Sequence, residues 1–185
     1  MNLNKLFDTQ RIIDARIEKE HPRVEGEDRL SKKILALLVE LGELANEWRG
    51  FKFWSKDQEP SMKLIDEEFD LIHMESIGLE QKNPLLEEYV DCLHFILSIG
   101  LELDFFYENL MPSLKAMNIT KQFNAILYEV SEIEIDIKNR RKFHLAQTLR
   151  AFIGLGEMLG LTWEQIEQAY YDKNRINHSR QDTGY

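Results

Sequence analysis

The sequence predicts an all-α fold, a single-domain helical bundle, and three observations point to it. Apolar residues recur at three- and four-residue spacing along most of the chain, as in helices with one buried face. Four prolines and nine glycines act as breaks between these segments rather than forming linkers. The 185 residues are 43% hydrophobic, which is enough to bury a sizeable core. We therefore expect one domain over residues 1–185.

Seven helical segments follow from this spacing in chain order. Asn83 and Pro84 open the fourth segment, since Asn is a favoured N-cap and Pro a favoured first helical residue, and Pro112 follows its end. The run EIEIDI at 132–137 alternates like a strand, whereas the apolar residues around it suit a helix. The predicted helices cover residues 3–20, 29–49, 62–79, 84–108, 119–138, 142–159 and 162–178.

Two pairs of acidic residues are the most informative feature for function. Glu40 and Glu43 lie in LLVELGELANEW, and Glu88 and Asp91 lie in LLEEYVDCLHFI. Residues three apart share one face of a helix, so two such helices packed side by side can direct four carboxylates into one space. That arrangement is repulsive without a cation. Mg²⁺ prefers oxygen ligands and commonly links protein carboxylates to substrate phosphates, which indicates nucleotide phosphate chemistry.

The two helices support this interpretation unequally. On the first helix, Glu40 and Glu43 lie opposite the apolar face, and a solvated acidic surface would have the same pattern. On the second helix, Glu88 falls between Phe95 and Ile99 in a nearly continuous apolar surface. An unpaired carboxylate is costly there. The second pair is therefore the stronger indication of a site.

Composition and charge exclude several classes of function. The formal net charge is −10 at pH 7, whereas non-specific nucleic-acid binding needs a basic surface. A single cysteine, Cys92, excludes an internal disulfide and is expected to be a small buried core residue. The amino terminus lacks a signal-like apolar region, and no apolar run is long enough to cross a bilayer. We expect a cytoplasmic protein that binds neither nucleic acid nor membrane.

Other polar groups give weaker indications of a site. Glu129 and Glu132 form another acidic pair at helical spacing, which is either a rival metal site or a solvated helix face. His73, His94 and His144 lack the partner spacing of a zinc site, so we expect them to be structural. The helical projection sets His94 on the polar arc of its helix.

Three segments together resemble one protein family. They are VELGELANEWRGFKFWS at 39–55, LLEEYVDCLHFILSIG at 85–100 and YYDKNRINHSRQDTGY at 170–185. The set resembles the dimeric all-α dUTPases of bacteria and their phages, relatives of the MazG-like nucleotide pyrophosphatases. The resemblance implies a homodimer of the all-α NTP pyrophosphatase type that uses magnesium. It also implies cleavage of dUTP to dUMP and pyrophosphate by attack on the β-phosphorus, and acceptance of dUDP.

The resemblance assigns roles to the four carboxylates. It implies that Glu40, Glu43, Glu88 and Asp91 bind Mg²⁺. Such ions neutralise the phosphate chain and lower the pKa of a bound water. A carboxylate of the first pair would take the proton from that water. Spacing alone does not separate Glu40 from Glu43 as the catalytic base, and we favour Glu40.

Eight residues are candidates for binding the nucleotide. Gln10 and Asp14 lie four apart on the first helix, where the family places its uracil-recognising side chains, and an amide both donates to and accepts from a pyrimidine. Lys52 suits a phosphate and Trp54 suits the base, although a solvated lysine and a core aromatic fit the same pattern. The carboxy-terminal helix adds polar groups for phosphate and sugar, whose cations also offset the helix dipole. These are Lys173, Asn174, Asn177 and Arg180.

Residues 56–84 look like an insertion between the acidic motifs. Glu43 and Glu88 are 45 positions apart, a longer interval than small MazG-like proteins have. We expect this segment to be helical and to form a flap, a dimer interface or a surface for a partner protein. Two other functions therefore stay open at this point. One is a related pyrophosphatase acting on dCTP or a modified nucleotide, and the other is a non-catalytic binding protein that keeps the fold.

Overall fold

The computed structural model describes residues 2–60, 63–65, 80–105, 112–135 and 140–184. Within these ranges six helices form a bundle, accompanied by a two-stranded antiparallel ribbon of three residues per strand. The prediction of an all-α fold is confirmed. In chain order the elements are α1 Leu3–Glu20, α2 Arg29–Trp48, β1 Lys63–Ile65, β2 Glu80–Lys82, α3 Pro84–Glu102, α4 Ile119–Ile135, α5 Arg141–Met158 and α6 Trp163–Thr183.

The inserted segment departs from the sequence prediction. The helix predicted over 62–79 is wrong at Lys63–Ile65, which forms β1. This strand pairs with β2 so that Lys63 lies opposite Lys82. A short apolar run does not distinguish a strand from a helix, which explains the error. The rest of the predicted helix, residues 66–79, lies outside the described residues.

Other helix ends differ because of local backbone chemistry. Helix α3 stops at Glu102, ahead of the predicted end, and Asp104 takes a left-handed φ of 47° just beyond it. Helix α6 continues to Thr183, where Gly184 supplies a left-handed C-cap. Helix α4 runs through the first part of the EIEIDI segment as far as Ile135, so the helical interpretation holds there.

Helix α3 lies at the centre of the bundle. It packs against α1, α2, α5 and α6, and twelve of its nineteen residues are buried as a result. Cys92 is among them, as expected of a small core residue. Tyr89 stacks on Phe152 with ring centroids 4.2 Å apart and donates a hydrogen bond to its carbonyl oxygen. Although α3 is largely apolar, no helix in the described ranges has the length and hydropathy needed to span a membrane.

A buried amide joins the segment before α4 to α5. The Gln122 Nε2 group donates to the carbonyl oxygens of Leu114 at 2.7 Å and Ala151 at 2.6 Å. Its Oε1 accepts from the Ala116 N–H at 2.5 Å, so the buried amide is hydrogen-bonded at both ends. Gly154 permits this close approach, because a Cβ there would lie 2.1 Å from the Leu114 carbonyl oxygen.

An ion-pair cluster ties the segment after α1 to the end of α3. Arg23 donates two hydrogen bonds of 2.7 Å to the Glu102 carboxylate, one to each oxygen. Lys33 of α2 lies 3.1 Å from the same carboxylate. The hydrogen bonds from Arg23, helped by Lys33, lower the pKa of Glu102 to about 2. The cluster therefore links the ionisation of one side chain to the packing of α2 and α3.

Substituting Gly154→Ala should destabilise the fold by about 1–3 kcal/mol, because the added methyl group overlaps a backbone carbonyl that Gln122 also holds. Urea denaturation measures this free energy of unfolding. Gly42→Ala is the matched control, since a Cβ at that helical position meets nothing within 4 Å. We expect the control to be neutral or stabilising by up to about 1 kcal/mol. Equal stability of the two variants would contradict the close approach.

The Glu102 ion pair should make stability fall on acidification. A folded-state pKa of about 2 lies below the unfolded value, so the carboxylate stabilises the fold above about pH 4.5 and loses this effect as the pH falls toward 2. Urea denaturation between about pH 6 and pH 3 should show a smaller decline for Glu102→Gln than for wild type. Asp8→Asn, which removes an exposed pair with Arg11, is the control and should follow wild type.

Candidate functional site

Three acidic side chains converge where α2 packs against α3. Glu40 and Glu43 come from α2 and Glu88 comes from α3, and one carboxylate oxygen of each lies within 4.8 Å of the others. The apolar faces of both helices meet in the core, which places these residues at the edge of the contact. A cluster of carboxylate oxygens fits a hard divalent cation, which prefers oxygen ligands. Three of the four carboxylates nominated from the sequence are therefore brought together.

The fourth nominated carboxylate, Asp91, has a different immediate partner. It lies one turn after Glu88 on α3, and its Oδ2 accepts a hydrogen bond of 2.5 Å from the Lys173 ammonium group of α6. Both side chains of this ion pair are about one-fifth exposed. The pair joins the carboxy-terminal helix to the acidic cluster and places a cation beside it.

Burial and mutual repulsion oppose ionisation of the cluster. Burial raises the pKa of Glu88 to about 7, and the charges of Asp91, Glu43 and Glu40 add to the shift. Burial also raises the pKa of Glu40, followed by the charges of Asp91 and Glu43. A bound cation would relieve this repulsion, because it favours the ionised form of each carboxylate. The donor set therefore fits a divalent metal.

A cavity of about 560 Å³ opens beside the cluster. This volume lies in the range of small-molecule sites. Residues from four of the six described helices, α1, α2, α3 and α6, line it. Seven of the nominated residues are among them: Gln10, Asp14, Glu40, Asp91, Lys173, Asn177 and Arg180.

Gln10 occupies the buried end of a hydrogen-bond network in this cavity. Its Nε2 donates to Asp14 Oδ1 at 2.7 Å on the next turn of α1. Its Oε1 accepts from the Tyr170 hydroxyl at 2.7 Å and lies 2.8 Å from His94 Nδ1. The amide is 4% exposed, so its orientation is set by protein groups rather than by solvent.

Three of the eight nucleotide-binding candidates lie outside the cavity lining. Asn174 is buried on α6, and its Nδ2 has no hydrogen-bond partner among the described residues. Lys52 and Trp54 lie in the loop after α2, where the lysine donates to the Asn46 carbonyl oxygen at 3.3 Å. Trp54 is 66% exposed and makes edge contacts with neighbouring aromatic rings. Their assignment to substrate stays a prediction.

Sequence reasoning did not nominate several side chains that line the cavity, including Lys33, His94 and Ser98. His94, which the sequence places on the polar arc of its helix, is buried rather than solvated. Its ring is 6% exposed and stacks on Tyr170 at 4.1 Å. The polar arc of α3 faces α1 and α6, which contribute polar groups of their own. A helical projection of α3 alone does not include those groups.

The rival acidic pair on α4 has another partner. Glu129 Oε2 lies 2.7 Å from His144 Nδ1, and Glu132 lies 4.0 Å from the other ring nitrogen. His144 thus acts as a structural link between α4 and α5, as expected. Among the described residues, the group whose geometry suits a metal ion is the one at Glu40, Glu43 and Glu88.

Clustered carboxylates beside a cavity lined by cations, held in a helical bundle, are the arrangement of an all-α enzyme that acts on phosphate chains. A family model described as dUTPase matches residues 2–83 and 75–185. The chain belongs to the all-α dUTPase family and is a dUTP diphosphatase, an enzyme with a nucleotide substrate. Enzymes of this family generally use a divalent metal, for which the acidic cluster is a candidate. The search of curated proteins found no match.

Mg²⁺ should raise the midpoint of thermal unfolding, because a ligand that binds only the folded state stabilises it, by about 2.7 kcal/mol at 100 times its Kd. Glu88→Gln should abolish most of this shift, since it removes one carboxylate of the cluster. Glu87→Gln, an exposed carboxylate one residue earlier, is the matched control and should keep the shift. An unchanged Mg²⁺ response in Glu88→Gln would remove this residue from the metal site.

Proposed function

We propose that this enzyme hydrolyses dUTP to dUMP and pyrophosphate with Mg²⁺ held by Glu40, Glu43, Glu88 and Asp91, and that it also accepts dUDP. The observation that carries this proposal is the three-carboxylate cluster, one member of which, Glu40, lines a cavity together with Lys173 and Arg180. The cluster would hold the cation, and the cavity would hold the nucleotide. When bound, the metal supplies neutralisation of the phosphate charge and acidification of a water.

Glu40 is the residue we assign as general base. It lines the cavity, whereas Glu43 is an exposed residue one turn further along α2. Burial and neighbouring charges raise the pKa of Glu40, which makes its carboxylate a better proton acceptor for the attacking water. We assign Glu43 to metal binding, with Glu40 contributing to both roles. Attack on the β-phosphorus is part of this proposal and is carried by the resemblance alone.

The cations of α6 suit the phosphate chain. Lys173, Asn177 and Arg180 are spaced at four and three residues, so they share one face of the helix and line the cavity together. Charge-assisted hydrogen bonds from the two cations, Lys173 and Arg180, to phosphate oxygens are stronger than neutral ones. We assign these three residues to binding the phosphates and sugar. We assign Asn174, on the adjacent buried face of α6, to supporting them.

The base is assigned to the end of the cavity formed by Gln10 and Asp14. We also retain Lys52 and Trp54 as substrate contacts from the resemblance. Because both lie outside the cavity lining, their contact with a nucleotide requires movement of the loop after α2 or a contribution from a second subunit. The family resemblance supports a cytoplasmic homodimer of this single domain, and exposed Leu35 on α2 offers apolar area for such an interface.

Pyrophosphate release from dUTP, dCTP, dTTP and UTP, each with Mg²⁺ and with a chelator, tests the proposal. Mg²⁺-dependent preference for dUTP is the expected result. A preference for dCTP would keep the metal assignment and reject the assignment of the base. Turnover of dUTP in the presence of the chelator would reject the metal mechanism. Phosphate release without pyrophosphate would reject cleavage between the α- and β-phosphates.

Asp91→Asn should lower turnover of dUTP by more than about 100-fold with folding retained, since even residues that only support a metal ligand cost 10–100-fold. The substitution keeps the size of the side chain and removes the charge that pairs with Lys173. Steady-state kinetics measures the loss, and circular dichroism checks the fold. Glu87→Gln serves again as the control. Near-wild-type turnover in Asp91→Asn would reject its assignment to the metal.

A further inference from the structure

Three protein side chains hydrogen-bond to the amide of Gln10, and one N–H of the amide remains for a ligand. Its Oε1 is shared between the Tyr170 hydroxyl and His94 Nδ1, and one hydrogen of Nε2 is given to Asp14. A carbonyl oxygen has two lone pairs and a primary amide has two hydrogens. Both lone pairs are therefore used, and the second Nε2 hydrogen is left with no acceptor among the described residues.

The direction of this amide is fixed by the chemistry of its neighbours. An Asp14 carboxylate only accepts hydrogen bonds, so the amide nitrogen must face it. The amide oxygen then faces two groups that can donate, the Tyr170 hydroxyl and His94 Nδ1. Burial, and secondarily the charge of Lys173, lower the pKa of His94 to about 3, so the ring is neutral and has one hydrogen. We place that hydrogen on Nδ1, because this nitrogen faces the Gln10 oxygen, which can only accept.

Asp14 is itself held in place on the other side. Its second oxygen accepts a hydrogen bond of 2.6 Å from the Ser98 hydroxyl of α3. The Lys33 ammonium group lies 3.5 Å from the same oxygen. Groups from α1, α2, α3 and α6 thus meet around one amide, and rotating it would break at least three hydrogen bonds at once.

We infer that Asp14, Tyr170 and His94 act as positioning residues that fix this amide with a free N–H for the ligand. The cavity then recognises a pyrimidine ring carbonyl and rejects an amino group at the same position. Uracil carries a carbonyl at C4, where cytosine carries an amino group, and two donors cannot pair. The inference rests on the proposed function only for the position of the base beside Gln10.

Tyr170→Phe tests the positioning role, because Tyr170 is fully buried and is not part of the cavity lining. Losing one hydrogen bond to the amide should lower the ratio of kcat/KM for dUTP over dCTP by about threefold to tenfold. Tyr171→Phe is the matched control. Its hydroxyl lies 3.5 Å from Glu167 and its ring contacts Lys5, so the ratio should equal that of wild type.

Asp14→Asn gives a sharper test of the same arrangement. An Asn side chain both donates and accepts, so it lets the Gln10 amide turn and present its oxygen instead. We expect a fall in dUTP efficiency and a rise in dCTP efficiency, with a lower dUTP-to-dCTP ratio than in Tyr170→Phe. Gln10→Ala serves as the reference, because it gives the dUTP-to-dCTP ratio of a cavity that has no amide at this position. An unchanged ratio in both Tyr170→Phe and Asp14→Asn would overturn the inference.

Nitrogen-15 NMR of the His94 ring provides a readout independent of turnover. The hydrogen should reside on Nδ1 in wild type and move to Nε2 in Asp14→Asn. Wild-type protein with the hydrogen on Nε2 would overturn the fixed amide even if dUTP is hydrolysed. Conversely, a ring with the hydrogen on Nδ1 in a protein that hydrolyses no nucleotide would reject the proposed function instead. If Tyr170→Phe does not fold, Asp14→Asn and the NMR measurement decide.

Discussion

The repulsion among carboxylates at the contact between α2 and α3 is the constraint on which the rest of the site depends. Burial of Leu37, Leu41 and Leu44 holds α2 against the core helix, and this apolar contact keeps Glu40 close to Glu88. The result is a set of acidic groups whose pKa values rise because they are partly buried together. Apolar packing thus offsets an electrostatic cost, and it preorganises ligands that would otherwise spread apart in water.

The other half of the site is a compensating charge from a distant part of the chain. Although the chain has a net charge of −10, α6 directs Lys173 toward Asp91 and α2 directs Lys33 toward Asp14. Each cation pairs with a carboxylate, and the side chains of both pairs are only partly exposed. The cavity is therefore acidic at one end and mixed in charge along its walls, which suits a cation together with a phosphate chain.

Much of this arrangement follows from local patterns in the sequence. Helical spacing gives the all-α fold, and the three-residue interval puts Glu40 and Glu43 on one face of α2. The polar network around Gln10 does not follow, because His94 and Tyr170 are 84 and 160 residues away and meet it only through tertiary packing. Periodicity describes one helix at a time. It therefore identified the polar arc around His94 but not the helices α1 and α6 that cover it.

The same limit applies to Trp54, whose assignment to the base stays a prediction. Trp54 follows the acidic helix closely in the chain, but α2 ends at the left-handed backbone of Arg49, and Trp54 is not among the residues that line the cavity. Proximity in sequence is therefore a weak guide to position after a helix has ended. Lys173 shows the reverse case. It lies near the far end of the chain, yet it pairs with Asp91 beside the acidic cluster.

The antiparallel pairing of β1 with β2 brings the two ends of the inserted stretch to one point, with Ile65 opposite Glu80. A segment whose two ends are adjacent in the fold does not need to bridge any distance between them. Loop-closure entropy grows only with the logarithm of length, by about 0.6 kcal/mol for each doubling. Natural variants or engineered fusions can therefore gain or lose sequence between these strands while the distance between α2 and α3, and with it the acidic cluster, stays the same.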